Sequence, residues 1–177
     1  MSTPTSEVGR QAPVFSLPDT QGVTHEPRPD EVTVVVFTCN HCPYALAWHD
    51  RLMAVAHDYD GRGVSMLAIN PNDAERYPRD SAAAMRERVE AGAFDGVPYL
   101  RDESQEVARA YDAKTTPDVF VLDGEGILRY RGAPDADHDD PSQDAAWLRE
   151  ALEAVLDGRA PERPETTPVG CSIKWLA

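Results

Sequence analysis

The chain has 177 residues, 41% hydrophobic and 27% charged, and its 31 acidic against 17 basic side chains give a formal net charge of −14. That length and apolar content suit one globular domain with arms. The acidic balance excludes a general phosphate-binding surface, which needs clustered Lys and Arg, and docking on anionic lipid, so neither nucleic acid nor membrane is expected as a partner.

Residues 1–31 are polar and Pro-rich. Met1–Glu7 shows neither a basic region nor an apolar stretch, and no run of about 18 apolar residues occurs anywhere, so a cytoplasmic protein is expected. The patch Ala12-Pro13-Val14-Phe15-Ser16-Leu17, followed by the turn formers Asp19 and Gly22, predicts an arm or hairpin. Val32-Thr33-Val34-Val35-Val36-Phe37 is a continuous β-branched run and predicts a strand buried on both faces. Ala45, Trp48, Leu52, Val55 and Tyr59 then form one helical stripe, ended by Gly61 and Gly63. Val64–Ile69 predicts a second buried strand, completing a βαβ unit with a right-handed crossover.

Asn70-Pro71-Asn72-Asp73 breaks the pattern. A helix is predicted from Ser81 to Glu90, with Asp80 as N-cap and Ala82, Met85 and Val89 inward. An extended piece at Val97–Leu100 precedes a helix near Ser104–Tyr111 with Val107, Ala108 and Tyr111 inward. Asp118–Leu122 and Ile127–Arg131 flank Asp123-Gly124-Glu125-Gly126 as a β-hairpin. The acidic stretch Asp135–Asp140 reads as a solvated loop, and Asp140-Pro141 as a helix start, with Ala145, Leu148, Leu152 and Val155 as the stripe and Gly158 as the stop. Arg159–Pro168, with three prolines and no apolar pattern, is expected to be an extended connection. The apolar ending Val169–Ala177 is expected to dock on the body, with Trp175 as anchor and Trp48 in the core.

The cysteines are Cys39, Cys42 and Cys171, an odd, low count that is no secreted disulfide framework. Cys39 and Cys42 fall where a buried strand gives way to a helix, whose N-terminal amides and partial positive charge stabilise a thiolate, the nucleophile of disulfide exchange. Cys39, ahead of the first turn, is expected to be the more exposed, attacking sulfur. Cys42, one turn inside, is the resolving one. His41 supplies a donor or cation beside the Cys39 thiolate, which makes the disulfide a stronger oxidant than that of thioredoxin. A copper- or zinc-binding module built on Cys39, Cys42 and His41 is the alternative from another class. A structural zinc site needs four ligands, however, and His25, His49, His57 and Cys171 are scattered. Both cysteines as inert core is the bland reading.

The strand Val32–Phe37 followed by Cys39-Asn40-His41-Cys42-Pro43, with Thr115-Thr116-Pro117-Asp118 before the strand Val119–Leu122, resembles the thioredoxin-like superfamily and within it the redoxin, AhpC/TSA-related branch. The resemblance covers residues 9–132 and extends to Gly170-Cys171-Ser172-Ile173-Lys174-Trp175, which is similar to cytosolic members with the same active-site string. It implies a three-layer α/β/α fold in β-α-β-α-β-β-α order. An N-terminal hairpin (1–31), a core (32–157) with an inserted helix between 71 and 100, and a C-terminal tail (158–177) make up a single domain. It further implies a cis Pro117 facing the cysteines, backbone contacts from Thr116 to a bound thiol substrate, and thiol–disulfide exchange with protein or small-molecule thiols. A reductase or thiol donor and no cofactor go with that activity. Tyr44 would line the substrate groove. Cys171 is either a small buried hydrophobe or a third redox cysteine. Residues 32–38 hold no carboxylate, so thioredoxin's buried proton-shuttle acid has no counterpart there and His41 stands in. Val32 and Val35 occupy the positions where a peroxiredoxin's Pro-x-x-x-Thr-x-x-Cys proline would fall, which disfavours dedicated peroxidase chemistry and leaves thiol-dependent peroxide reduction as an alternative. The two lysines, Lys114 and Lys174, leave fifteen of the 17 basic residues as Arg, which fits a salt-adapted host or a GC-rich genome.

Overall fold

In the computed structural model, which describes residues 6–177, the arm folds back on itself. Leu17–Pro18 (β1) pairs antiparallel with Thr24–His25 (β2) across a turn in which the Asp19 carboxylate accepts the Gln21 and Val23 amides. The stretch Met1–Thr5, read above for a leader, lies outside the described residues.

Val32–Phe37 (β3) is the middle strand of a five-stranded sheet. Pro43–Asp58 (α1) leads to Val64–Asn70 (β4), which runs parallel to β3 and carries Tyr99–Arg101 (β5) parallel on its outer side. On the other flank lie Asp118–Leu122 (β7) and Leu128–Gly132 (β8), each antiparallel to its neighbour. Between β5 and β7 come Glu106–Ala110 (α3) and the short strand Thr115–Thr116 (β6). β3 is buried throughout because both faces are covered: Val32, Val34 and Val36 pack with Trp48, Leu52 and Val55 of α1 and with Leu148 and Leu152 of Ala146–Leu156 (α4). Val35 and Phe37 meet Ala108, Tyr111, the arm's Phe15 and the tail's Ile173 on the opposite side. Each such side chain contributes roughly 1.5–3 kcal/mol relative to exposure. Among the described residues no helix is long and apolar enough to cross a membrane.

Three sequence expectations are corrected. Ala82–Glu90 (α2) is capped by Ser81, whose hydroxyl accepts the Ala84 amide, and Ala82 is exposed; Asp80 is buried and turned elsewhere. Asp140 caps only a 3-10 turn, Pro141–Gln143, and α4 starts after Asp144 and Ala145, both in the left-handed region at φ 53°. The cause lies in the supposedly solvated acidic stretch: Asp135 is buried and accepts the Ala145 amide at 2.9 Å, the Trp48 indole N–H at 2.9 Å and an Arg51 ion pair at 2.8 Å. Holding the Ala145 amide on that carboxylate reverses the backbone and delays the helix. The tail docks as expected, with Cys171–Ser172 (β9) antiparallel to β6 and Ile173 buried.

Candidate active site

Cys42 is the N-cap of α1 with extended backbone (φ −72°, ψ 124°), and Pro43 fills the first helical position, where a missing N–H costs nothing. Cys42 is therefore half a step outside the helix rather than a turn inside it. Cys39 sits just past the end of β3, after Thr38, whose amide still bonds to Ile69 in β4. The geometry brings both sulfurs beneath the loop before β7. Cys39 Sγ lies 3.4 Å from Thr116 Oγ1, and the Cys42 thiol donates to the Thr116 carbonyl at 3.1 Å. The Thr116–Pro117 peptide is cis.

Neither sulfur is displayed to solvent. Cys39 is 1% and Cys42 0% exposed, against the expectation of an open Cys39, because Thr116, Ala45, Tyr44 and the tail close over the pair. The two sulfurs pack together, and that proximity is the largest influence on both, so they titrate as one pair that resists carrying two negative charges. The Cys171 thiol and the Ala45 and Cys171 amides also face Cys42, holding it down to about 4, whereas the neighbouring Cys42 sulfur, burial and the nearby Asp80 carboxylate push Cys39 up.

The carboxylate missing from β3 comes from the segment before α2. Asp80 Oδ1 accepts the Asn40 amide at 2.7 Å and Asn70 Nδ2 at 3.1 Å; Oδ2 accepts Asn72 Nδ2 at 3.1 Å and lies 2.6 Å from His41 Nδ1. His41 is stacked on Tyr77, ring centroids 5.7 Å apart, so it is tied to a carboxylate and an aromatic face rather than standing free as a cation for Cys39. Asn40 is held in turn by Tyr99 and Arg88, which both donate to its Oδ1. Cys39, His41 and Asp80 offer ligand atoms within 4.8 Å of one another, so Asp80 replaces Cys42 in the metal set read from sequence. The Asp80 oxygens, however, are already occupied by these partners. The trio sets a sulfur, an imidazole and a carboxylate close together beside the cysteine pair.

Tyr44 lies beside the cysteine pair, but its ring packs on His138 at 4.3 Å. Cys171, partly exposed, packs against Cys39, Cys42 and Ala45. The structure thus brings together Cys39, Cys42, His41, Thr116, Pro117 and Cys171, and adds Asp80. No short-range pattern marked Asp80: it lies 40 positions beyond Asn40, and its place before Ser-Ala-Ala-Ala looked like a helix cap.

Residues 8–131, from the arm through β8, match the model of the AhpC/TSA family. The chain belongs to that family. The AhpC/TSA match takes in the Cys39–Cys42 junction, Asp80 and the Thr116–Pro117 bond, and stops before α4 and the Cys171 tail. The chain is 30% identical over 135 residues to the thiol:disulfide interchange protein DsbE of Allochromatium vinosum, covering 72% of this chain and 67% of that one. An uncharacterized conserved protein from Geobacillus kaustophilus superposes with a TM-score of 0.88 at 40% identity, covering 96% of this chain and 93% of its own. A hypothetical protein from Sinorhizobium meliloti superposes at 0.89 with 36% identity, covering 97% and 96%.

Proposed function

We propose that this member of the AhpC/TSA family is a thiol–disulfide oxidoreductase that works by cycling Cys39 and Cys42 between dithiol and disulfide, on protein or low-molecular-weight disulfides. The observation that carries the reading is a pair of sulfurs packed together at a helix N-terminus, both against the residue before a cis-proline. The kinship with a thiol:disulfide interchange protein supports it.

In the reducing direction, Cys39 attacks one sulfur of the client disulfide and expels the other as thiolate. Its proton passes to the Cys42 sulfur or to the His41–Asp80 pair within 4.8 Å. Cys42 then attacks Cys39 in the mixed disulfide; the Cys39–Cys42 bond forms, the client leaves as a second thiol, and two electrons have moved from protein to client. Cys39 takes the capturing role because it lies on the side of the partly exposed His41 ring, whereas Cys42 is enclosed by Thr116, Ala45 and Cys171. Cys42→Ser is the test. With a disulfide client it should accumulate conjugates that map by peptide mass spectrometry to Cys39 and dissolve in dithiothreitol. No conjugate, or peroxide consumption without disulfide reduction by the wild type, overturns the assignment.

A further inference from the structure

Cys171 lies in the tail, far from the pair in sequence, yet the fold delivers it to Cys42. Strand β9 sets Cys171 directly opposite Thr116, the residue whose oxygens touch both buried sulfurs. The approach is intimate enough that a Cβ on Gly170 would collide with the Thr116 carbonyl oxygen, so only glycine lets the strand lie there. Further bonds hold the strand in place. Lys174 N–H donates to Asn72 Oδ1 at 2.9 Å, Asp73 N–H donates to the Lys174 carbonyl at 2.9 Å, and Leu176 N–H donates to Gln105 Oε1 at 2.8 Å. Cys171 packs directly against the cluster of Cys39, Cys42 and Ala45, so the fold gathers all three sulfurs in one place. Of the three, only Cys171 is partly exposed.

Building on thiol–disulfide exchange at Cys39 and Cys42, we propose that Cys171 is a third thiol of the cycle, through which the buried disulfide is handed to an external thiol reductant. The Cys171 thiolate attacks the Cys42 sulfur of the Cys39–Cys42 disulfide. The Cys42–Cys171 bond forms, the Cys39–Cys42 bond breaks, and its electron pair leaves on Cys39, which takes the proton that Cys171 gave up. This step is isoelectronic. An external thiol then attacks the partly exposed Cys171 sulfur and releases Cys42 as thiolate. A second thiol attacks the sulfur of the first and expels Cys171 as thiolate, so two electrons return to the protein and the reductant leaves as its disulfide. The charges favour this order. In the reduced protein burial raises Cys171 to about 11 with help from the proximity and charge of Cys42. Both Cys42 contributions vanish once Cys42 is in a disulfide, leaving Lys174 as the neighbouring cation.

The test is to oxidise wild type, Cys39→Ser and Cys171→Ser with stoichiometric diamide, alkylate, and map disulfides after trypsin, which leaves Cys39 and Cys42 on one peptide and Cys171 on another. The proposal expects an intramolecular Cys42–Cys171 cross-link in Cys39→Ser and a fraction of the same cross-link, with Cys39 alkylated, in wild type. In Cys171→Ser the Cys39–Cys42 disulfide should still form, but its reduction by glutathione should slow about tenfold or more, because access now limits attack. Two results overturn the relay: both thiols of Cys39→Ser alkylated after oxidation with no cross-link in wild type, or a wild-type reduction rate in Cys171→Ser. Loss of the Cys39–Cys42 disulfide from Cys171→Ser would instead overturn the exchange reading beneath it.

Discussion

At Asp80 one buried carboxylate answers an amide, two asparagine side chains and an imidazole, and through them fixes Asn40 and His41 on either side of the capturing sulfur's loop. Asp80→Asn puts a donor where donors already point, so it should cost about 1–3 kcal/mol in urea unfolding. It should also lower the alkaline limb of the Cys39 alkylation profile, because a negative charge that raises that thiol is gone. A purely structural Asp80 would show the first effect without the second. Asp118 is another buried acid. Burial raises it to about 7, and one of its oxygens has no partner. Between the unfolded value near 3.9 and about 7 the folded chain keeps a proton that the unfolded chain has lost, so stability falls as pH rises through that window and then levels. The effect is at most about 4 kcal/mol. Asp118→Asn should flatten that slope in urea melts taken from pH 4 to 8.

The β3–α1–β4 unit was legible in the sequence because burial on both faces writes itself as an unbroken β-branched run and helix packing as a stripe. The Cys39–Cys42 junction followed from the same two signals. What could not be read was long-range polar satisfaction. Nothing local in Asp135-Ala136-Asp137 says that the first carboxylate will be drawn inward by Arg51 and Trp48 of α1, and that contact also displaces the start of α4. Asp135→Ala strands a buried guanidinium and should cost about 3–5 kcal/mol by chemical denaturation. The covering of both thiols was equally hidden, since it depends on how the tail strand meets β6. Gly170→Ala should push that strand away, and iodoacetamide should then label Cys39 or Cys42 faster than in the wild type.

Over the whole molecule, 31 acidic residues meet 17 basic ones, and few of the acids are absorbed by buried pairs. The remainder repel across the surface. Salt shortens the reach of that repulsion from about 10 Å at 0.1 M to about 3 Å at 1 M. The thermal midpoint should therefore climb from 0.1 M toward molar KCl; a flat or falling midpoint would count against adaptation to salt and leave codon usage as the source of the Arg-rich, Lys-poor composition. The tail strand has a larger consequence. Its place beside Thr116 is where an extended client would have to lie, and a tethered segment competes at an effective concentration on the order of millimolar. A polypeptide docking there would have to evict the enzyme's own backbone to reach Cys39 or Cys42, while a compact disulfide that seeks no strand partner would escape this competition. A client that used this ledge would be chosen less by pocket chemistry than by a built-in rival for the same place.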